Sequence, residues 1–172
     1  MNIADVLLLA FDVEMKMTQS YFEAFPEDKA DWKPHEKSSS LGQIAKHVAT
    51  LPAFGTLFLE SDCMNVTGPP PPFVFVSKVD LFRTLNETSE TFRSALAAAS
   101  DEFLMQEWAF RVDGKVLSTA PRASMVKVMF FHHLIHHRAQ LGVYLRLLNA
   151  PVPGIYGPSA DAGWEPGQLG LV

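Results

Sequence analysis

The chain has 172 residues, 48% hydrophobic and 19% charged, with a formal net charge of −5; these are ordinary values for one globular domain with a real core, able at this length to bury roughly 70% of its unfolded surface. The acidic balance and the lack of a Lys/Arg cluster exclude a direct nucleic-acid partner. A single cysteine, Cys63, excludes an internal disulfide, and no run of about 18 apolar residues predicts a membrane span.

The N-terminal run MNIADVLLLAFDVEMKM has acidic residues and no basic region before its apolar stretch, so it does not read as a signal peptide, and a cytoplasmic setting is expected. From Ile3 to Phe25 apolar residues recur at helical spacing, and Pro26 stops the run. The polar connector PEDKADWKPHEKSSS follows. Ser40 with Gln43 forms a capping-box pattern that opens a second helix, on which Ile44, His47, Val48 and Leu51 share a face. Pro52 predicts a kink or an end there, although the apolar pattern resumes through Phe58. Gly68 to Phe73, GPPPPF, reads as an extended loop. Ser77 and Asp80 then open a third helix that runs through Leu81, Leu85, Phe92 and Leu96 to Ala99. Trp108 to Ser118, with Asp113-Gly114 at its centre, predicts a small hairpin. The strongest helix spans Arg122 to Asn149 behind Pro121, and the tail APVPGIYGPSADAGWEP reads as irregular. Four long helices in one domain, residues 1–172, predict an all-α four-helix bundle with a small hairpin or irregular insertion before the last helix.

Four of the six histidines lie in His132-His133-Leu134-Ile135-His136-His137. Residues i and i+4 project from one side of a helix, so His133 with His137, or His132 with His136, could present two imidazoles to one metal ion. Spacing does not choose between the pairs. The first continues an apolar stripe of Val126, Phe130, Leu141, Tyr144 and Leu148, the second one of Met125, Met129, Val143 and Leu147. This predicts a helix buried on more than one side, one face looking into the bundle and the other into a partner subunit. His47 on its apolar face is a candidate third ligand, and buried imidazoles without partners cost a few kcal/mol each. A shared metal site and three satisfied core histidines both remain open on this ground.

Helix four and its tail, HHLIHHRAQLGVYLRLLNAPVPGIYGPSADA, resemble the last helix of the DinB-like (DinB/YfiT) family, whose pattern is a histidine, three residues, then His-Arg-x-Gln-Leu. Here that is His133, then His137-Arg138-Ala139-Gln140-Leu141. DWKPHEKSSSLGQIAKHVAT is similar to the family's second motif, in which His47 is the single histidine. The resemblance implies an up-up-down-down bundle, a divalent metal ion on His47, His133 and His137, and frequently a homodimer; His132 and His136 are then packing or supporting residues, and Arg138 and Gln140 structural ones. Three nitrogen ligands leave open metal positions, as binding and catalytic sites do, and zinc, nickel, iron or manganese are the candidate ions. The resemblance further implies a metal-dependent enzyme of thiol-transferase type, using a low-molecular-weight thiol and a small electrophilic substrate, with the tail and the Pro69 to Phe73 loop shaping the pocket. A metal-dependent hydrolase and a non-enzymatic metal-binding or interaction protein are the alternatives; no carboxylate adjoins the three histidines in sequence to serve a hydrolase as general base. Cys63 reads as a packing residue, Trp32, Trp108 and Trp164 as core or edge aromatics, His35 as a solvated loop residue, and Asp161 as a turn cap.

Overall fold

The structure, a computed structural model, describes residues 1–69 and 71–164; Pro70 of the proline loop and residues 165–172, the end of the predicted tail and domain, lie outside the described residues. The architecture is mostly helical with one small three-stranded sheet. α1, Ile3–Glu23, starts at a reciprocal box in which the Asn2 side chain accepts from Asp5 N–H and the Asp5 carboxylate accepts from Asn2 N–H. A 3₁₀ turn, Glu27–Lys29, follows. α2, Leu41–Glu60, begins with the Ser40–Gln43 box and runs unbroken through Pro52. A proline there costs about 3 kcal/mol, and burial of Val48, Leu51, Phe58 and Leu59 on both sides of it offsets that loss.

β1, Cys63–Val66, leads into the proline loop, and α3, Lys78–Ala97, starts at the Ser77 cap. A short α4, Asp101–Leu104, precedes β2, Glu107–Val112, and β3, Lys115–Pro121. β2 and β3 form the expected hairpin, with Asp113 and Gly114 both at positive φ, as a tight primed turn requires. β1 was not anticipated: it pairs parallel to β2, and Asn65 Oδ1 accepts from Gly114 N–H. The predicted last helix is divided into α5, Arg122–Met125, a π-helical stretch, Val126–His132, and α6, His133–Leu147. The wider π turn lets the consecutive rings of Phe130 and Phe131 both face inward, 4.8 Å apart.

α1 and α2 do not adjoin closely; each packs against both α3 and α6. Cross-helix contacts give the directions. Asp12 meets Arg93 and Gln19 meets Asn86, so α1 and α3 are antiparallel. Lys46 meets Asp80 and Thr88 meets Ala49, so α2 and α3 are parallel. Glu14 meets Arg138 and Tyr21 meets Gly142, so α1 and α6 are parallel. The order is therefore up-down-down-up, which corrects the up-up-down-down order implied by the resemblance. The cause is the connection between α2 and α3, whose described residues 61–69 and 71–77 return Phe75 to the start of α2, where a Cβ on Gly42 would lie 2.8 Å from it. At the centre, Phe92 stacks against Phe11 at 4.8 Å and Phe130 at 4.7 Å.

Two buried arginines fasten the ends. Arg122 donates to the Phe58 and Ser61 carbonyls and to Asp62, satisfying the negative C-terminal end of α2. Arg138 is fully buried and donates to the Glu14 carboxylate at 2.5 Å, the Glu14 carbonyl, the Thr18 hydroxyl and the Tyr156 hydroxyl. Tyr156 donates in turn to Glu14 at 2.6 Å; burial first, and that bond second, push its phenol up to about 12. Asp161 closes a turn, as expected, by accepting from Val152 N–H and Arg146. Trp108 is in the core and His35 is exposed, also as expected. Cys63 and Trp164 are exposed instead: β1 lies at a sheet edge, and Trp164 rests against Gly157. Among the described residues no helix is long and apolar enough to cross a membrane.

Glu14→Gln leaves the Arg138 guanidinium buried without its counter-charge, a loss of about 3 kcal/mol, read as a fall in melting temperature of about 6–12 °C for a chain of this size. A Glu14→Leu/Arg138→Met double variant is expected to recover much of it in the same thermal melts.

Candidate metal centre

The antiparallel crossing of α2 and α6 brings His47 against His133 and His137. The three ring centroids lie 4.4 to 4.9 Å apart, and one nitrogen from each ring falls within 4.8 Å of the others. His47 Nε2 and His133 Nε2 are 3.2 Å apart. Two ligand nitrogens about 2.0–2.1 Å from a shared tetrahedral ion stand about 3.3–3.4 Å apart, so this spacing fits a bridging cation. His47 Nδ1 is buried and without a partner. No aspartate, glutamate or cysteine joins the cluster among the described residues. An all-imidazole donor set suits zinc, nickel or iron, and three ligands leave positions free.

The electrostatics keep the rings neutral. His47 is lowered to about 3, by burial first and then by His137 and His133. Burial also lowers His133, against a hydrogen bond to the Met129 carbonyl, and lowers His137, against one to Gln140. Neutral imidazoles keep the lone pairs that a cation needs.

The other candidate pair does not share in this. His132 and His136 are exposed, as are Val143 and Leu147 of their stripe. The second face is thus solvent-facing from His132 onward, although Met125 of the same stripe is buried and Met129 packs against the core. His136 does reach the centre indirectly, because Gln140 lies between it and His137: Gln140 Oε1 is 2.8 Å from His137 Nδ1, and Gln140 Nε2 is 3.1 Å from His136 Nε2. Arg138, one residue on from His137, turns the opposite way into the core.

A cleft of about 330 Å³ opens beside His47 and His137. Ile44, Phe73 and Tyr144 form apolar walls, and Ser38, Ser39 and Gln43 bring polar groups. Phe73 stacks 4.3 Å from the His47 ring, so the proline loop shapes the cleft as expected. Tyr144 is braced by Trp32 at 5.6 Å and by the Ser39 carbonyl. The described tail does not line this cleft; Tyr156 and Asp161 are engaged on Arg138 and Arg146. Gln43 was legible only as a cap residue, and Ser38, Ser39 and Tyr144 carry no local signal of a site.

The DinB family model matches residues 1–167. A Bacillus subtilis protein, YrdA, itself uncharacterised, is 25% identical over 158 residues, covering 91% of this chain and 90% of its own length. A crystal structure of a DinB-like protein from Bacillus cereus superposes with a TM-score of 0.66 at 22% identity, covering 86% of this chain and 93% of that one. A second, of the DinB-like protein YjoA from Bacillus subtilis, gives 0.62 at 20% identity, with 86% and 96% covered. These two likenesses show a common fold.

A histidine whose folded pKa is depressed leaves the unfolded chain binding more protons between the two values. The metal-free protein is therefore expected to lose stability as pH falls from 6.5 towards about 3. Thermal melts between pH 7 and pH 4 should show a shallower decline for His47→Gln than for the wild type; equal slopes would mean that His47 is not held neutral.

Proposed function

The chain belongs to the DinB family, and on that premise we propose that it is a divalent-metal-dependent enzyme of thiol-transferase type, with His47, His133 and His137 as the metal ligands. The observation that carries this reading is the convergence of three neutral imidazoles from two helices beside an open cleft. The helical frame is read as a four-helix bundle in up-down-down-up order, formed by α1, α2, α3 and the last helix. With their ring hydrogens on Nδ1, His47 Nε2 and His133 Nε2 would supply two converging lone pairs, and His137 would add the third nitrogen. An ion held there supplies Lewis acidity, which lowers the pKa of an approaching thiol or water.

The chain's own residues shape what approaches. Phe73 and Ile44 exclude water from one side of His47, and Tyr144 forms the wall beside His137. Ser38, Ser39 and Gln43 offer hydrogen-bonding groups for the remainder of a low-molecular-weight thiol. A small electrophile such as an activated aryl chloride would enter the same cleft, where the thiol sulfur, its proton released to solvent, would displace chloride: the carbon–sulfur bond forms as the carbon–chlorine bond breaks. The described lining of the cleft contains no carboxylate to act as a general base, which favours the thiol reading over a metal-dependent hydrolase. Exposed Val128, Val143 and Leu147 on the last helix, with Val6 and Leu9 on α1, supply apolar surface that supports a homodimer. A cytoplasmic setting completes the reading.

The test is a rate measurement. Metal-loaded protein is mixed with a panel of low-molecular-weight thiols and an activated aryl chloride, and carbon–sulfur bond formation is followed. The expected rate depends on thiol and metal together and falls to background in His133→Ala and after chelation. A rate that stays at background at every metal loading would contradict the enzyme and leave a metal-binding or interaction protein.

A further inference from the structure

Gln140 lies one helical turn beyond His137 and is half-buried, and both ends of its carboxamide are engaged. Oε1 is 2.8 Å from His137 Nδ1, and Nε2 is 3.1 Å from His136 Nε2. An amide oxygen only accepts and an amide nitrogen only donates. His137 Nδ1 must then carry a hydrogen, and His136 Nε2 must offer a lone pair. A neutral imidazole has one ring hydrogen, so Nε2 of His137 keeps its lone pair. An isolated imidazole side chain favours the opposite tautomer, in which Nε2 is protonated and cannot ligate.

A carboxamide can turn over, presenting N–H to His137 Nδ1 and demanding the wrong tautomer; in the orientation present, its oxygen faces His137 Nδ1. We propose that Gln140 is a positioning residue that holds His137 with its hydrogen on Nδ1, leaving Nε2 free for the metal. This rests on the metal reading above and extends it to a residue that touches no metal. Partners of this kind set the tautomer and ring orientation of ligating histidines, and losing one typically weakens metal binding by ~10–100-fold.

The experiment uses the whole chain with ¹⁵N-labelled histidine. Long-range proton–nitrogen spectra of the metal-free protein report the His137 tautomer, and competition against a chromophoric chelator reports zinc affinity. In the wild type, His137 is expected to carry its hydrogen on Nδ1. Gln140→Leu should lose that preference and bind zinc ~10–100-fold more weakly, with a metal-free melting temperature close to wild type. Gln140→Glu keeps an acceptor for His137 and should hold zinc within a few-fold of wild type. A wild-type His137 protonated on Nε2 overturns the inference, as does wild-type affinity in Gln140→Leu, or a loss in Gln140→Glu equal to that in Gln140→Leu. A wild-type protein that takes up no zinc overturns the metal reading itself and this inference with it, whereas equally tight binding by every variant overturns the inference alone.

Discussion

The antiparallel contact between α2 and α6 sets a constraint that the rest of the molecule serves. It places two imidazole Nε2 atoms 3.2 Å apart in a half-buried position, with a third ring beside them. Two neutral imidazoles at that distance share either a ring hydrogen or a cation. Burial, and the neighbouring rings, depress His47 to about 3 and so disfavour the charged imidazolium. A divalent cation suits this spacing, because it takes the lone pairs without requiring a charged imidazole. The close approach itself depends on small residues: a Cβ on Gly55 of α2 would lie 2.9 Å from Phe92 and 3.1 Å from Phe130.

Adjacent residues of α6 divide the labour. His137 faces the cleft, Arg138 enters the core, and Gln140 returns to support His137. Arg138 is paired with Glu14 and reached by Tyr156, so the helix carrying two of the three histidines is tied to α1 and to the tail. That cluster holds charge where water relaxes it little, and it fixes α6 with Arg138 towards Glu14 while His133 and His137 face α2. The π-helical stretch just before His133 adjusts the phase of the last helix, so that Phe130 packs beneath the site while His133 faces His47.

Much of this was legible in the residues, and the failures have physical causes. The Ser40–Gln43 box, the Ser77 cap and the Asp113-Gly114 turn are local chemistry, and each stands where it was expected. The metal candidates followed from an i,i+4 spacing, but His132 and His136 share it, and both pairs lie on apolar stripes. Only packing separates them, since Val143 and Leu147 remain exposed while Leu141 and Tyr144 are buried. The residues themselves do not give the helix directions, because a Gly/Pro-rich stretch announces a loop without saying how far it travels; the up-up-down-down order came from the resemblance alone. β1 escaped notice because its pairing partner, β2, lies more than forty residues away and its four residues are too few for their alternation to stand out. The bonds of Arg138 and Tyr156 to Glu14 span most of the chain and leave no local signal.

The central claim is one metal ion on three histidines, and the most direct test is elemental mass spectrometry on tag-free protein, wild type beside His47→Ala, His133→Ala and His137→Ala. The account predicts about one equivalent of a divalent transition metal in the wild type, lost or strongly reduced in each variant while the helical content is kept. A wild type that holds no metal, even after incubation with zinc, nickel or manganese, would contradict it.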